Sequence, residues 1–232
     1  MLRKLVLFDI DGTLVWTAGA GRAAISKALL AEMGATGPID GYRFEGKTDP
    51  QIVVELMQAA EHPHAESEEH VDAVCRRYLE LLEGELGERR REIKLLPGIA
   101  KLLDELDERD DVLVGLLTGN LVGGAALKLG AAGLDVSRFR LGAYGSDAWA
   151  RSDLPPIAAE RAAGLMGRAP QGEEIVIIGD TPADMTCGNG VGARAIGVAT
   201  GWHSVAELEE AGGYAVFEDF ADTEPVMEAI YA

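Results

Sequence analysis

The sequence predicts a doubly wound α/β fold with an inserted helical segment, and three observations support this prediction. Short, continuous apolar runs recur along the chain, as is typical of parallel strands covered on both faces. Helical patterns lie between these runs, which is the alternation expected of a parallel sheet flanked by helices. One early stretch contains helical patterns but no strand-like runs, which indicates an insertion.

Four apolar runs are the predicted strands, and each consists mainly of Val, Ile and Leu. They are Leu5–Phe8, Val112–Leu117, Ile175–Ile178 and Ala195–Val198. None of them alternates with polar residues, so both faces of the sheet are expected to be buried.

Six segments have helical periodicity, with Pro near the start or Gly near the end of several. They cover residues 20–33, 49–60, 66–86, 97–106, 120–132 and 155–166. The first three fall together, so we expect residues 1–16 plus 92–232 to form an α/β core and residues 17–91 to form a helical insert in it.

The charge and composition of the chain argue against several classes of function. The 232 residues carry a net charge of −18, from 39 acidic and 21 basic side chains, which disfavours a nucleic-acid partner. No stretch approaches the roughly 20 apolar residues that a membrane-spanning helix needs. The two cysteines are too few for a disulfide framework. We expect a cytoplasmic protein, a monomer or homodimer, with no membrane partner.

Polar residues follow three of the predicted strands. The first strand leads into Asp9–Leu14 (Asp-Ile-Asp-Gly-Thr-Leu), the second into Leu117–Asn120 (Leu-Thr-Gly-Asn), and the third into Gly179–Asp184 (Gly-Asp-Thr-Pro-Ala-Asp). In such sheets, ligands bind outside the carboxyl ends of the strands. The sequence therefore predicts one site built from these three segments.

The residue types at these strand ends favour phosphoryl chemistry. Neighbouring carboxylates repel one another unless a cation lies among them, and ligands that are all oxygen favour Mg²⁺. A carboxylate also serves as a nucleophile at phosphorus, and a second carboxyl close by provides acid/base catalysis. Thr118 and the amides after it, at a strand-to-helix junction, form an anion cradle.

The three segments resemble motifs one, two and four of the haloacid dehalogenase superfamily, in its phosphatase branch with a helical cap, similar to phosphoglycolate phosphatases. The resemblance implies that Asp9 is the nucleophile and a metal ligand, and that Asp11 is the general acid/base and a ligand through its carbonyl. It implies that Thr118 binds the transferring phosphoryl group, that Asp180 binds Mg²⁺, and that Asp184 supports the ion directly or through water.

The third motif of the superfamily is a Lys, and this chain has no Lys after Lys128. Arg151, just before Pro155, is the favoured replacement, because an Arg still binds phosphate. Lys128 is the alternative, although its position about two turns into a helix makes the reach awkward. We therefore expect Lys128→Ala to cost little activity.

Further residues are expected to contact substrate. Gly12, Gly119 and Asn120 lie beside the predicted catalytic residues, and Lys47 and Thr48 lie on a cap loop that would present a cation to an anion. The sequence thus predicts Mg²⁺-dependent hydrolysis of a small phosphorylated metabolite through an aspartyl-phosphate. The alternatives are a phosphomutase or phosphonatase on the same core, or a phosphate-binding regulator without turnover.

Overall fold

The computed structural model describes residues 2–232. Its largest element is a six-stranded sheet in which every neighbouring pair is parallel. The strands of this sheet are β1 (Lys4–Phe8), β4 (Val112–Thr118), β5 (Gly142–Tyr144), β6 (Ile175–Gly179), β7 (Arg194–Val198) and β8 (Ala215–Phe217). Their order is β5-β4-β1-β6-β7-β8, which places the first strand of the chain in the middle.

Both faces of the sheet are buried, as the unbroken apolar runs predict. The helices of the core are α4 (Ile99–Asp107), α5 (Val122–Ala131), α6 (Leu154–Met166), α7 (Pro182–Cys187), α8 (Val205–Glu210) and α9 (Glu224–Tyr231). Along β1, Val6 and Phe8 pack on one side with helices α4, α5 and α9, whereas Leu5 and Leu7 pack on the other side with α6. The doubly wound fold class is confirmed.

Three helices precede α4, and they pack around a hydrophobic cluster of their own. They are α1 (Ala20–Met33), α2 (Asp49–Ala59) and α3 (Glu68–Glu88). Their shared interior includes Leu29 from α1, Met57 from α2 and Leu82 from α3, all fully buried. The six predicted helical segments coincide with observed helices, with boundaries that differ by a few residues.

Four short strands were not predicted. β5 and β8 form the edges of the sheet and have three residues each, so they carry no long apolar run. β2 (Val15–Trp16) and β3 (Lys94–Leu95) form an antiparallel ribbon where the chain enters and leaves the three-helix segment. None of the helices within residues 2–232 combines the length and the apolar character needed to cross a membrane.

Candidate active site

The three polar segments meet because their strands are neighbours. Asp9 directly follows β1, Thr118 ends β4, and Asp180 directly follows β6. Since β4, β1 and β6 are adjacent and parallel, their carboxyl ends lie side by side at one edge of the sheet. Each residue sits at the end of a buried strand, which fixes its position against a rigid support.

A compact group of carboxylates forms the floor of the site. Asp9, Asp180 and Asp184 are all buried, and each offers an oxygen within 4.8 Å of the others. Burial raises the pKa of Asp9 to about 6, although Arg151 acts in the opposite direction. Burial, with the nearby Asp9 and Asp184, also raises the pKa of Asp180 well above its ordinary value. These shifts reflect negative charges held together out of water, and a hard divalent cation would relieve them.

Gly12 allows Asp180 to approach the loop that follows β1. Its φ is +84°, and a Cβ at this position would lie 2.3 Å from Asp180 Oδ2. The hydroxyl of Thr13 donates a hydrogen bond of 2.9 Å to the other oxygen, Oδ1 of Asp180. The Gly-Thr pair therefore orients Asp180, because any larger residue at Gly12 would displace its carboxylate.

Arg151 lies among these carboxylates. Its Nη2 is 3.2 Å from Asp9 Oδ1 and also donates to Asp184 Oδ1. The second oxygen of Asp184 accepts hydrogen bonds from the backbone and the hydroxyl of Thr181, at 3.0 and 2.6 Å. Asp184 thus has donors on both oxygens, and it connects Arg151 to the loop after β6.

Lys128 also reaches the site, and the expectation of an awkward reach is wrong. Its Nζ donates to Asp11 Oδ2 at 2.6 Å and to Asn120 Oδ1 at 2.5 Å, and the side chain is buried. The helix begins at Val122, later than assumed, and helical side chains point back toward the N-terminus. Both effects bring the ammonium close to the strand end.

Asn120 joins Asp11 to Thr118. Its Nδ2 is 2.8 Å from Asp11 Oδ2 and 2.8 Å from Thr118 Oγ1, and the hydroxyl of Thr17 lies 3.3 Å from Asp11 Oδ1. Asp11 is therefore held by three donors, counting Lys128. The sequence predicted that Asn120 would bind substrate, whereas in the structure its amide contacts two of the predicted catalytic residues.

The loop before α2 attaches the three-helix segment to the sheet. A Cβ at Gly119 would lie 2.0 Å from the carbonyl oxygen of Lys47, so only glycine permits this approach. The hydroxyl of Thr48 donates to the Trp149 carbonyl at 2.8 Å. The amide of Asp49 donates to the Gly119 carbonyl at 2.8 Å. In return, an Asp49 carboxylate oxygen accepts a hydrogen bond from the amide of Leu121, at 2.9 Å.

Lys47 lines the cavity, but its ammonium is engaged by its neighbours. It forms an ion pair of 2.6 Å with Glu55 and donates to the hydroxyl of Tyr42 at 2.9 Å. Thr48 caps α2 through a hydrogen bond from the amide of Gln51. In this arrangement the positive charge of Lys47 is already paired with Glu55, and the Thr48 hydroxyl is engaged by the backbone.

A cavity of about 410 Å³ separates the strand ends from the three-helix segment. Its floor includes Asp9 and Asp11, and its walls include apolar side chains of the helical segment. At its mouth the rings of Trp16 and Trp202 are 6.1 Å apart, and Trp202 is largely exposed.

Among the residues that line this cavity, sequence reasoning did not single out Tyr78 or Trp202. Asp49 also lines it and is the last residue of the predicted cap loop, residues 46–49, although no contact with substrate was predicted for it. Tyr78 occupies the apolar face of α3 and has the pattern of an ordinary core residue, and nothing in the sequence around Trp202 connects it to the site.

Comparison with models of known protein families shows which family the chain belongs to. Residues 3–192 match the haloacid dehalogenase-like hydrolase family. The chain belongs to this family. The match spans all three strand-end segments, which confirms the resemblance seen in the motifs. No curated protein sequence gave a significant match.

Several solved structures have the same fold along nearly the full chain. CbbY from Rhodobacter sphaeroides, in complex with phosphate, has 22% identity and a TM-score of 0.74, with 97% of each chain covered. A β-phosphoglucomutase from Clostridium difficile has 18% identity and a TM-score of 0.73, covering 100% of this chain and 98% of its own. A predicted phosphoglycolate phosphatase from Haemophilus somnus has 19% identity and a TM-score of 0.64, covering 97% and 98%.

Proposed function

We propose that this hydrolase cleaves small phosphate monoesters through an aspartyl-phosphate formed on Asp9. The observation that carries the proposal is the buried group of Asp9, Asp180 and Asp184, with Arg151 in contact with both Asp9 and Asp184. Such a group combines a nucleophile, a cation site and a phosphate-binding guanidinium in one place. The names of the structural neighbours, a complex with phosphate, a phosphatase and a phosphomutase, agree with phosphate-ester chemistry.

Magnesium is the ion that fits these ligands. The carboxylates of Asp9 and Asp180 and the backbone carbonyl of Asp11 would hold it, and Asp184 would support it through its hydrogen bonds. All the donors are oxygens, which is the set that Mg²⁺ prefers. The ion would supply charge neutralisation for the phosphoryl oxygens.

Two carboxylates, those of Asp9 and Asp11, carry out the chemical steps. Asp9 attacks phosphorus, the ester P–O bond breaks, and Asp11 gives a proton to the departing oxygen. Asp11 then takes a proton from the water that attacks the aspartyl-phosphate, which releases phosphate and restores Asp9. Thr118 and Arg151 bind the phosphoryl oxygens, with the amides of Gly119 and Asn120 beside them.

Residues 17–91 act as a cap that excludes water and selects the leaving group, above a core of residues 1–16 plus 92–232. The Lys47–Thr48 loop and Gly119 support this role, because they form the contact between the two parts. Lys47 would approach an anionic substrate only after release from Glu55.

A phosphonatase is disfavoured by the state of the cap lysines. That chemistry needs a neutral lysine for a Schiff base. Lys27 is exposed, and its hydrogen bond to Glu85 raises its pKa. Lys47 is paired with Glu55. Hydrolysis therefore stays the better-supported reaction.

Turnover of p-nitrophenyl phosphate tests the proposal. Chelation should abolish activity, and Mg²⁺ should restore it better than Ca²⁺, whose larger and looser coordination suits in-line transfer poorly. Asp9→Asn should retain less than about 1% of kcat while circular dichroism shows an intact fold, because an amide does not attack phosphorus. The matched control is Asp110→Asn, on an exposed turn. Activity that is indifferent to chelator, or an active Asp9→Asn, would refute the mechanism.

A further inference from the structure

Tyr78 is a buried residue whose hydroxyl group has no hydrogen-bond partner in the described part of the protein. It lies on α3, is about 1% exposed, and lines the cavity. Within residues 2–232, its hydroxyl has no hydrogen-bond partner. An unpaired buried hydroxyl destabilises a fold, and a Phe would fill the same space without that cost. The hydroxyl therefore indicates a ligand in the cavity rather than a packing role.

Two glycines leave room around this hydroxyl. A Cβ built on Gly21 of α1 would lie 3.7 Å from Tyr78 Oη and 3.3 Å from Lys128 Nζ. A Cβ built on Gly124 of α5 would lie 3.6 Å from Tyr78 Oη. Tyr78 and Lys128 therefore approach the same small space. The ammonium of Lys128 has three N–H donors, and two of them go to Asp11 and Asn120. The third and the Tyr78 hydroxyl are both available to one acceptor atom.

The charges around Tyr78 and Lys128 determine which kind of hydrogen-bond acceptor fits between them. Lys128 is already paired with Asp11, and the buried Asp49 is a second carboxylate close enough to raise the pKa of Lys128. Tyr78 and Lys128 themselves therefore offer no surplus positive charge to balance a carboxylate or a second phosphate of the substrate. Arg22, which also lines the cavity, donates to the backbone carbonyls of Ile39 and Tyr42 and stacks on Phe44. A neutral oxygen meets no such repulsion, and a hydroxyl could also donate to a nearby carboxylate.

The Tyr78 hydroxyl is protonated at any physiological pH. Burial, and then the nearby Asp49 and Asp11, raise its pKa well above the ordinary value. It is therefore available as a hydrogen-bond donor to the substrate. Ile25 and Ile52 line the same cavity with apolar surface that suits a carbon chain, whereas the Phe44 ring carries the Arg22 guanidinium at 4.1 Å.

We propose that Tyr78 is a specificity-determining residue that donates a hydrogen bond to a neutral hydroxyl of the leaving group, so that the substrate is a phosphorylated polyol or sugar rather than a phosphorylated acid or a bisphosphate. This rests on the proposed phosphatase function. Tyr78 approaches the same space as Lys128, and Lys128 contacts the predicted acid Asp11, which the leaving group has to reach.

The experiment compares three substrates of similar size: glycerol 1-phosphate, n-propyl phosphate and 2-phosphoglycolate. Wild-type kcat/KM should be about tenfold or more higher for glycerol 1-phosphate than for either of the others, because a site built to bind a hydroxyl discriminates against analogues that lack it. In Tyr78→Phe this preference should fall by about three- to tenfold, the contribution of one neutral hydrogen bond. The readout is the ratio of kcat/KM values for two substrates, because a general loss of activity lowers both values equally and leaves their ratio unchanged.

Tyr214→Phe is the matched control, since its ring is half exposed and stacks on Arg194 away from the cavity. It should keep the wild-type ratio. Tyr78→Phe should also unfold at a temperature no lower than the wild type, because it loses no hydrogen bond within the protein.

Three results would overturn the inference. They are a wild-type enzyme without preference for glycerol 1-phosphate, a Tyr78→Phe variant with an unchanged ratio, and a Tyr78→Phe variant that is clearly destabilised. The failure of the phosphatase function itself is seen separately, as absence of chelator-sensitive turnover of p-nitrophenyl phosphate, whose leaving group has no aliphatic hydroxyl to bind.

Discussion

Arg151 and Lys128 are both buried cations at the candidate site, but they contact different halves of it. Arg151 pairs with two carboxylates, Asp9 and Asp184, on the side of β1 and β6. Lys128 pairs with one carboxylate and one amide, those of Asp11 in the loop after β1 and Asn120 in the loop after β4. For both cations burial alone would lower the pKa, and the neighbouring carboxylates raise it.

The difference follows from the chemistry of the two side chains. A guanidinium spreads its charge over a planar fork and binds several oxygens at once, whereas an ammonium is a compact point charge with three donors. Arg151 is therefore suited to hold a group of carboxylates and a phosphoryl group. Lys128 is suited to orient a single carboxyl, that of Asp11. The predictions below test whether the two cations have these separate functions.

The largest effect is expected for Arg151→Ala. Loss of a preorganised electrostatic group should lower kcat/KM by roughly 10²–10³-fold. The uncompensated carboxylates should also destabilise the fold by about 3–5 kcal/mol, measured by urea unfolding. Arg151→Lys should recover much of the activity, because it restores the charge.

Arg161→Ala is the control for this variant, since Arg161 forms a partly exposed pair with Asp147. Such a pair contributes at most about 1 kcal/mol, and activity should be unchanged. An Arg151→Ala enzyme with more than about a tenth of wild-type kcat would show that the cation is supplied elsewhere.

A smaller effect, with a different signature, is expected for Lys128→Met. This variant keeps much of the length of the side chain and removes its charge and donors. We expect a loss of kcat of up to roughly 10²-fold, greater for alkyl phosphates than for p-nitrophenyl phosphate, because only poor leaving groups need the acid strongly. Because Lys128 contacts Asp11 in a buried ion pair, we now expect a larger loss of activity than the small one predicted from the sequence for Lys128→Ala.

The exposed Lys101 on α4 provides the control, Lys101→Met, which should match the wild type. A loss that is the same for every leaving group would contradict the positioning role of Lys128. It would indicate instead that Lys128 binds the phosphoryl group, as Arg151 is proposed to do.

The smallest effect on catalysis is expected for Asp49→Asn, whose main effect is on stability. Burial raises the pKa of Asp49 to about 6, although Lys128 lowers it in part. The folded protein therefore binds a proton between about pH 4 and 6 that the unfolded chain has released, so Asp49 makes the protein less stable as pH rises through that window. The total contribution is about 1–3 kcal/mol.

Urea unfolding of both proteins at pH 4 and pH 7 measures this contribution. The side-chain amide of the Asp49→Asn variant does not titrate and keeps an oxygen for the Leu121 amide, so the variant should gain stability relative to wild type between the two pH values. A parallel pH dependence in the two proteins would contradict the raised pKa. In Lys128→Met, the pH dependence from Asp49 should become larger, because a stabilising charge is lost.

Much of this site could be predicted from local sequence. Phe8-Asp9 and Gly179-Asp180 are junctions between a buried apolar strand and a carboxylate, and a parallel sheet brings such junctions to one edge. The positions of Asp9, Thr118 and Asp180 follow from this rule. The edge strands β5 and β8 could not be found in the same way, since three residues paired on one side only carry little apolar signal.

The sequence by itself determined the fold class, the six helical segments, and the residues at the strand ends, because each of them leaves a local pattern of apolar and polar residues in the sequence. Only the tertiary structure decided which cation contacts which carboxylate. Lys128 is 117 residues from Asp11, and Arg151 is 33 residues from Asp184. The unpaired hydroxyl of Tyr78 is likewise visible only in three dimensions, because its surroundings come from α1, α3 and α5 at once. Local patterns encode burial and secondary structure, whereas charge pairing across a cavity depends on how separate elements pack.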